Sequence, residues 1–457
     1  MINLLKINSI KIAFLLFIFS LILRIILFTT TYNNLRYGAA GVYGSTSIGF
    51  YFNEGLTYND NEISKIFIIP NNYTDNYLNF HCKNNRKTLE QFLPGPAALL
   101  VILWKLIPFY NFLPYILFQA ILESILIGLF YFVFKDYDKY VALITSIFMV
   151  LNLSVIKRTL EMGDYYWPIA AILVTFIGII YIIKSNKNSL YLFATGFITG
   201  LILWFNSITI YLPIFISFMI IYYYRCITEI SYKSILKKIL AYLIPIIISI
   251  ILLSWFRFNI TGDYRPMRSQ IWHTFFCGVG QFENPYGIKS KDNEVWELGK
   301  KLNSDLEKSS FSTQCNLPNS PYEITLKKEA INFIRKCPHL FIRNAFYRIG
   351  IMISPFLYRG GDFIPSSLFN ILLPIGIVAF ILWFSGMYYL FRRQNLIFWL
   401  SATIYFYFFA TFGWFCVVGR VILPFLFINA FVYLFGIKYL FLEFKKVKFN
   451  VSINTES

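Results

Sequence analysis

The feature that most limits what this chain can become is a recurring apolar run, about 17–25 residues long, flanked by lysine, arginine or asparagine. A helix of that length crosses a hydrocarbon layer of about 30 Å and satisfies its own backbone there, which an irregular segment cannot do. Such runs lie at Ile12–Thr30, Phe112–Phe134, Tyr140–Ile156, Tyr166–Ile183, Leu190–Phe205, Ile208–Tyr224, Leu240–Phe256, Pro365–Phe391, Leu396–Trp414 and Val417–Phe441. They predict an all-α polytopic membrane protein with about ten transmembrane helices. Composition agrees: the 457 residues are 57% hydrophobic and only 14% charged, too little charge to cover a soluble surface. A formal charge of +18 would suggest nucleic acid in a soluble protein. Here basic residues at span ends set orientation instead, and no nucleic-acid partner is expected. The first run carries Arg24 and lacks a small-x-small cleavage site, so it reads as a span rather than a removable signal.

Topology turns on one further stretch, Pro94–Phe109 (PGPAALLVILWKLIPF). As a helix it would reach some 24 Å, short of the roughly 30 Å core. If it lies on the surface, Lys135, Lys139, Lys184, Lys187, Arg225, Lys233, Lys237, Lys238, Arg392, Arg393, Lys445, Lys446 and Lys448 share the N-terminal side with Lys6 and Lys11. If it crosses, they all move away from those lysines. The positive-inside rule therefore predicts an outer-face surface helix, with both termini cytoplasmic.

Residues 1–30 are then the cytoplasmic N-terminus and first span, and 31–109 an outer loop with its surface helix. Residues 110–256 form a transmembrane core, 257–364 a second outer segment, 365–444 the C-terminal spans and 445–457 a cytoplasmic tail. In the second outer segment Leu326, Ala330, Phe333, Ile334 and Cys337 recur on one helical face, and Pro338 ends or kinks that helix. The run Leu340–Ile353, with Arg343 and Arg348, suits a helix lying on headgroups.

Three pieces occur in a telling order: FLPGPAALLVILWKLIPF, then KEAINFIRKCPHLFIRNAFYRI, then GRVILPFL. A single span, an outer loop, a Pro-rich surface helix, a core of spans and a second outer segment resemble the GT-C integral-membrane glycosyltransferases. Protein O-mannosyltransferases and aminoarabinose transferases are the members whose pattern is most similar. The three pieces look like the family's Pro-Pro surface helix, its Ala-x-x-Phe-Ile…Pro helix and its late Arg…Pro span. The resemblance covers nearly the whole chain. It implies transfer of a sugar from a polyprenyl-phosphate donor to a glycan, lipid or protein acceptor on the outer face, with no cofactor. Such enzymes carry an Asp or Asp-Glu pair shortly after the first span as catalytic base. In this chain the corresponding stretch, YGAAGVYGSTSIGFYFNEGLTYND, has no acid before Glu54.

The chemistry sets what to look for. Attack on C1 of the sugar needs a carboxylate to take the acceptor proton, and the departing phosphate needs cations rather than an acid. Glu54 is the first candidate base and Asp60 the second; Glu62 is a further outer-loop acid. The segment KRTLEMGDYYW holds Lys157 and Arg158 on the outer side against the positive-inside rule, with Arg158 three residues from Glu161 and Asp164 following. Arg158, Glu161 and Asp164 are candidate donor-binding residues, because a planar guanidinium matches phosphate oxygens; a structural Arg–Glu pair at a span end explains them equally well. Arg420 lies inside an apolar span near its outer end, where a cation faces a polar cavity or snorkels. Arg24 and Glu123, both intramembrane, suit a structural pair.

His81, His273 and His339 fall outside in no metal-binding spacing, so no zinc site is expected. Cys82, Cys277, Cys315 and Cys337 fall on the same side, where disulfides form, in any of three pairings. Two other readings compete with the transferase: a glycan polymerase or ligase, and a non-catalytic relative or transporter of lipid-linked glycans. A transporter should show two similar halves, and no internal repeat is found. The expected location is a cell inner or plasma membrane.

Overall fold

The computed structural model describes residues 2–31, 47, 93–107, 112–161, 163–164, 166–185, 189–227, 231–261, 264–266, 271–307, 320–355, 369–414 and 419–455. Among these the chain is helical and contains no strand. Sixteen α-helices organise it, numbered here in chain order. α1 is Ile2–Thr31, α2 Gly95–Leu106, α3 Leu113–Phe134, α4 Lys139–Leu151, α5 Leu153–Thr159, α6 Trp167–Ser185, α7 Ser189–Ile202, α8 Leu212–Tyr222 and α9 Tyr232–Thr261. α10 is Ile271–Val279, α11 Asp292–Leu302, α12 Pro321–Lys336, α13 Pro338–Ile353, α14 Phe369–Arg393, α15 Asn395–Phe412 and α16 Gly419–Thr455.

Local chemistry sets many of the ends. Proline stands in the first turn of α2, α3, α8, α12 and α13, where its missing N–H loses nothing. The Asp138 carboxylate caps α4 by accepting from Tyr140 N at 3.0 Å and Val141 N at 2.9 Å. Asn152 caps α5 in the same way, accepting from Val155 N at 3.0 Å, and the break there bends the α4–α5 pair by 58°.

Seven helical segments among the described residues are long and apolar enough to cross a membrane, or eight with the bent pair as one span. The chain is thus an α-helical polytopic membrane protein. The described part of each of the ten runs read from the sequence is largely helical, but α6 and α7 fall short of the rest. The 14-residue α7 rises only about 21 Å, because the chain turns at Leu203–Asn206. There Asn206 accepts from Ile208 N at 2.8 Å and caps the next turn.

Side-chain pairs fix the helix directions. Arg24 meets Glu123, Ser20 meets Ser124, and a Cβ on Gly128 would strike Ala13 O at 2.9 Å, so α1 and α3 run antiparallel. α3 and α16 run parallel, from the Phe130–Phe427 contact to the Asp138–Lys438 ion pair at 2.5 Å. α8 and α15 are antiparallel, from Tyr407 hydroxyl on Ile208 O to the Tyr222–Trp399 contact. Close approach relies on glycine where backbones touch: a Cβ on Gly196 of α7 would stand 2.1 Å from Tyr242 O of α9. These directions gather Lys135, Lys139, Arg225, Arg392 and Arg393 at one end of the bundle. The start of α3, the α5–α6 turn and the α7–α8 turn share the opposite end.

α2 belongs to that opposite end at both of its own ends. Gly95 N donates to Trp204 O at 2.9 Å, a contact a Cβ on Gly95 would block, and the helix stops a few residues before α3 begins. Twelve residues rise about 18 Å. Trp104, Leu100 and Ala97 are buried, while Ile102 and Leu106 are exposed.

Beyond the bundle, α10, α11 and α12 wrap a second, smaller core around Phe276, Val295, Tyr322 and Leu326. α13 joins the two, and one of its two arginines does not reach out as a headgroup cation would. Arg348 is buried: it donates to Gly278 O at 2.6 Å, to Gly413 O at 3.2 Å and to Gln281 Oε1 at 3.3 Å. The last carbonyls of α13, which have no partner within the helix, are met by α16. Asn429 donates to Met352 O at 2.9 Å, and the Tyr433 hydroxyl donates to Ile353 O. Arg343 stays half-buried, over the Tyr347 ring.

Candidate functional site

Charged side chains inside the bundle collect where α1, α3, α5 and α6 meet. Arg24 of α1 and Glu123 of α3 are fully buried and paired through two contacts, Nε–Oε2 at 2.8 Å and Nη2–Oε1 at 2.7 Å. Arg24 Nη1 also donates to Ser20 Oγ at 2.7 Å and Ser20 O at 3.1 Å, and Ser20 bonds Ser124 at 2.9 Å. The Thr159 hydroxyl donates to the Glu123 carboxylate from α5. A bidentate guanidinium–carboxylate pair with further hydrogen bonds from Ser20 and Thr159 is an arrangement in which two buried charges persist.

One turn along α3, Gln119 reaches the segment that follows α5. Its amide donates to Thr159 O at 2.9 Å and Glu161 O at 3.2 Å. The Tyr115 hydroxyl donates to Gly163 O at 2.8 Å and accepts from Trp167 Nε1 at 2.8 Å. Asp164, 1% exposed, accepts from Asn206 Nδ2 at 3.2 Å, and Asn206 also donates to Asp164 O at 3.1 Å. The ring of Trp167 stacks on Phe205 with centroids 3.7 Å apart. The backbone of this turn is therefore pinned from three sides.

On its rim Arg158 meets Glu161 at 2.8 Å, the contact that a spacing of three residues on a helix allows. Their side chains are 17% and 7% exposed. α16 starts beside this rim. Leu423 and Leu426 of α16 line a small apolar cavity together with Phe148 and Met149 of α4, Asn152 at the bend and Val155 of α5. Arg158 follows Val155 by three residues on α5, and position 420 precedes Leu423 by three on α16. Given the two helix directions, both positions lie one turn further toward the end where α2 sits. Arg420 has a described backbone only, at the start of α16.

Four of the six site residues named from the sequence, Arg158, Glu161, Asp164 and Arg420, thus fall at one end of the bundle. Glu54 and Asp60 lie outside the described residues, as do Glu62, His81, Cys82 and Cys315. Tyr115, Gln119, Thr159 and Asn206, which hold the turn, are not among the residues predicted from the sequence. Gln119 carried a legible signal, a polar residue one turn from Glu123 in an otherwise apolar run. Asn206 carried none, since its partner Asp164 is distant in sequence. In the second core, Cys277 and Cys337 form no disulfide. Comparison with models of protein families, with curated proteins and with solved structures finds no match to this chain.

Proposed function

We propose that the chain is a GT-C-type glycosyltransferase with ten membrane passages, moving a sugar from a polyprenyl-phosphate donor to an acceptor on the outer face. The observation that carries this reading is the placement of positions 158 and 420 one turn beyond a shared cavity, at the end away from the bundle's lysine- and arginine-rich end. By the positive-inside rule that end faces outward. Two cations at the outer ends of spans suit a donor whose phosphate sits at the headgroup level and whose polyprenyl tail stays in lipid. Glu161 beside Arg158 orients the guanidinium. Arg24 and Glu123, whose charges satisfy each other, serve the scaffold.

In this reading α2 is the outer surface helix. Glu54 takes the acceptor proton, with Asp60 the alternative base. One observation favours the non-catalytic alternative: Asp164 is buried against Asn206 and Glu161 is 7% exposed beside Arg158, so neither acid stands open to an acceptor hydroxyl. Catalysis then rests on the first outer loop. Replacing Glu54 by Gln should lower turnover by a factor of about 10²–10⁴ and leave donor binding unchanged, with Asp60→Asn milder. Unchanged turnover in both variants, against a wild type that turns over, would remove the first loop as the source of the base.

A further inference from the structure

The second core brings together three side chains of ligand type that the bundle does not use. His273 and Cys277 stand one turn apart on α10, and Asp292 opens α11. His273 Nε2 lies 3.0 Å from Asp292 Oδ1, Cys277 Sγ lies 3.6 Å from His273 Nε2, and Cys277 Sγ lies 3.7 Å from Asp292 Oδ1. The other ring nitrogen, Nδ1, is engaged by the Tyr322 hydroxyl at 2.7 Å. His273 and Cys277 are buried, and the Asp292 side chain is 72% exposed.

A hydrogen-bonded His–Asp pair explains the first distance but not the third vertex. A thiol is a weak donor and a weak acceptor, and gains little from standing equally close to both partners. A metal ion explains all three separations. With metal–nitrogen and metal–oxygen distances of about 2.0–2.2 Å and metal–sulfur about 2.3 Å, a tetrahedral ion separates its ligands by roughly 3.6 Å for N and S, 3.5 Å for S and O, and 3.3 Å for N and O. The observed edges lie within about 0.3 Å of those values. The Tyr322 contact supplies what a ligating imidazole needs, a partner on its second nitrogen that fixes ring orientation and tautomer.

We propose that His273 Nε2, Cys277 Sγ and Asp292 Oδ1 bind one divalent transition metal of the zinc class, with water in the fourth position on the exposed side of Asp292. Thiolate and imidazole together select zinc over magnesium or calcium. Binding displaces the Cys277 proton to solvent as the sulfur–metal bond forms, and changes no oxidation state. The ion ties α10 to α11 across the chain that joins them. Such a tie matters most in a small core that cannot be stabilised by burial alone. This proposal stands apart from the transferase reading.

The test uses the full-length protein in detergent, stripped with a chelator and titrated with zinc or cobalt(II). The wild type should take up one equivalent, and the cobalt form should show the thiolate-to-cobalt charge-transfer band and intense visible bands of a tetrahedral site. Zinc should also raise the unfolding temperature. Cys277→Ser should abolish the charge-transfer band. Asp292→Asn, at an exposed side chain that the fold tolerates, should weaken binding while the circular dichroism stays unchanged. Tyr322→Phe should weaken binding by about 10–100-fold. Absence of a saturable equivalent in the wild type, a thiolate band that survives Cys277→Ser, or wild-type affinity in folded Asp292→Asn would each overturn the proposal.

Discussion

Two arginine–glutamate pairs stand close together in the bundle, and they differ in almost everything but composition. Arg24–Glu123 is sealed: neither side chain is exposed, the contact is bidentate, and Ser20 and Thr159 complete it. Arg158–Glu161 sits at the rim, with 17% and 7% of the two side chains open. The two are linked through Thr159, which donates to Glu123 and whose carbonyl accepts from Gln119. A charge in a span has room for a ligand only when its partners leave it a face. The sealed pair holds α1 on α3; the rim pair presents a guanidinium at the bundle end.

That contrast is breakable by mutation. Arg24→Ala leaves the buried Glu123 carboxyl without its partner and should cost about 3–5 kcal/mol, seen as loss of monodisperse protein or a large fall in unfolding temperature. Replacing both residues by Met should recover most of that loss. If the single and double variants are equally unstable, the pair is not what joins the helices. Asn206→Ala comes next. It removes the cap on the turn and the donor to Asp164, at a cost of about 1–2 kcal/mol, measured by thermal unfolding. Arg158→Ala should cost less than Arg24→Ala, on the order of 1 kcal/mol, because water reaches the rim pair and not the sealed one.

The smallest effect lies at the opposite end. Burial alone would raise the Asp138 carboxyl, but the Lys438 ammonium and the Val141 and Tyr140 amides outweigh it and hold Asp138 below its ordinary value. A depressed carboxyl contributes stability that is complete above its unfolded value and is lost as pH falls through the folded one. The unfolding temperature of the wild type should therefore decline below about pH 4 more steeply than that of Asp138→Asn. Parallel curves would show that the ion pair contributes nothing.

Most of the fold was readable because apolar length and proline position act locally. The described parts of the ten runs are largely helical, proline opens α2, α3, α8, α12 and α13, and the three-residue spacing of Arg158 and Glu161 is a contact. What stayed hidden depends on partners distant in sequence. Arg348 read as a headgroup cation, yet carbonyls of Gly278 and Gly413 draw it inside. His273, Cys277 and Asp292 matched no short motif because the third ligand opens a different helix. α7 is shorter than its apolar run because Asn206 caps a turn within the run's reach, which no hydropathy pattern records.

On the proposed reading, the cations at positions 158 and 420 bind a lipid-linked sugar phosphate that the protein consumes. The direct test is to reconstitute the protein with polyprenyl-phosphate sugars extracted from its source membranes, and to follow free polyprenyl phosphate by mass spectrometry. The wild type should bind the donor and release polyprenyl phosphate with time, whereas Arg158→Ala should lose at least tenfold in donor affinity. Arg158→Lys, which keeps the charge without the planar fork, should fall between them. Donor binding or release that is absent in the folded wild type, or undiminished in Arg158→Ala, would contradict the account.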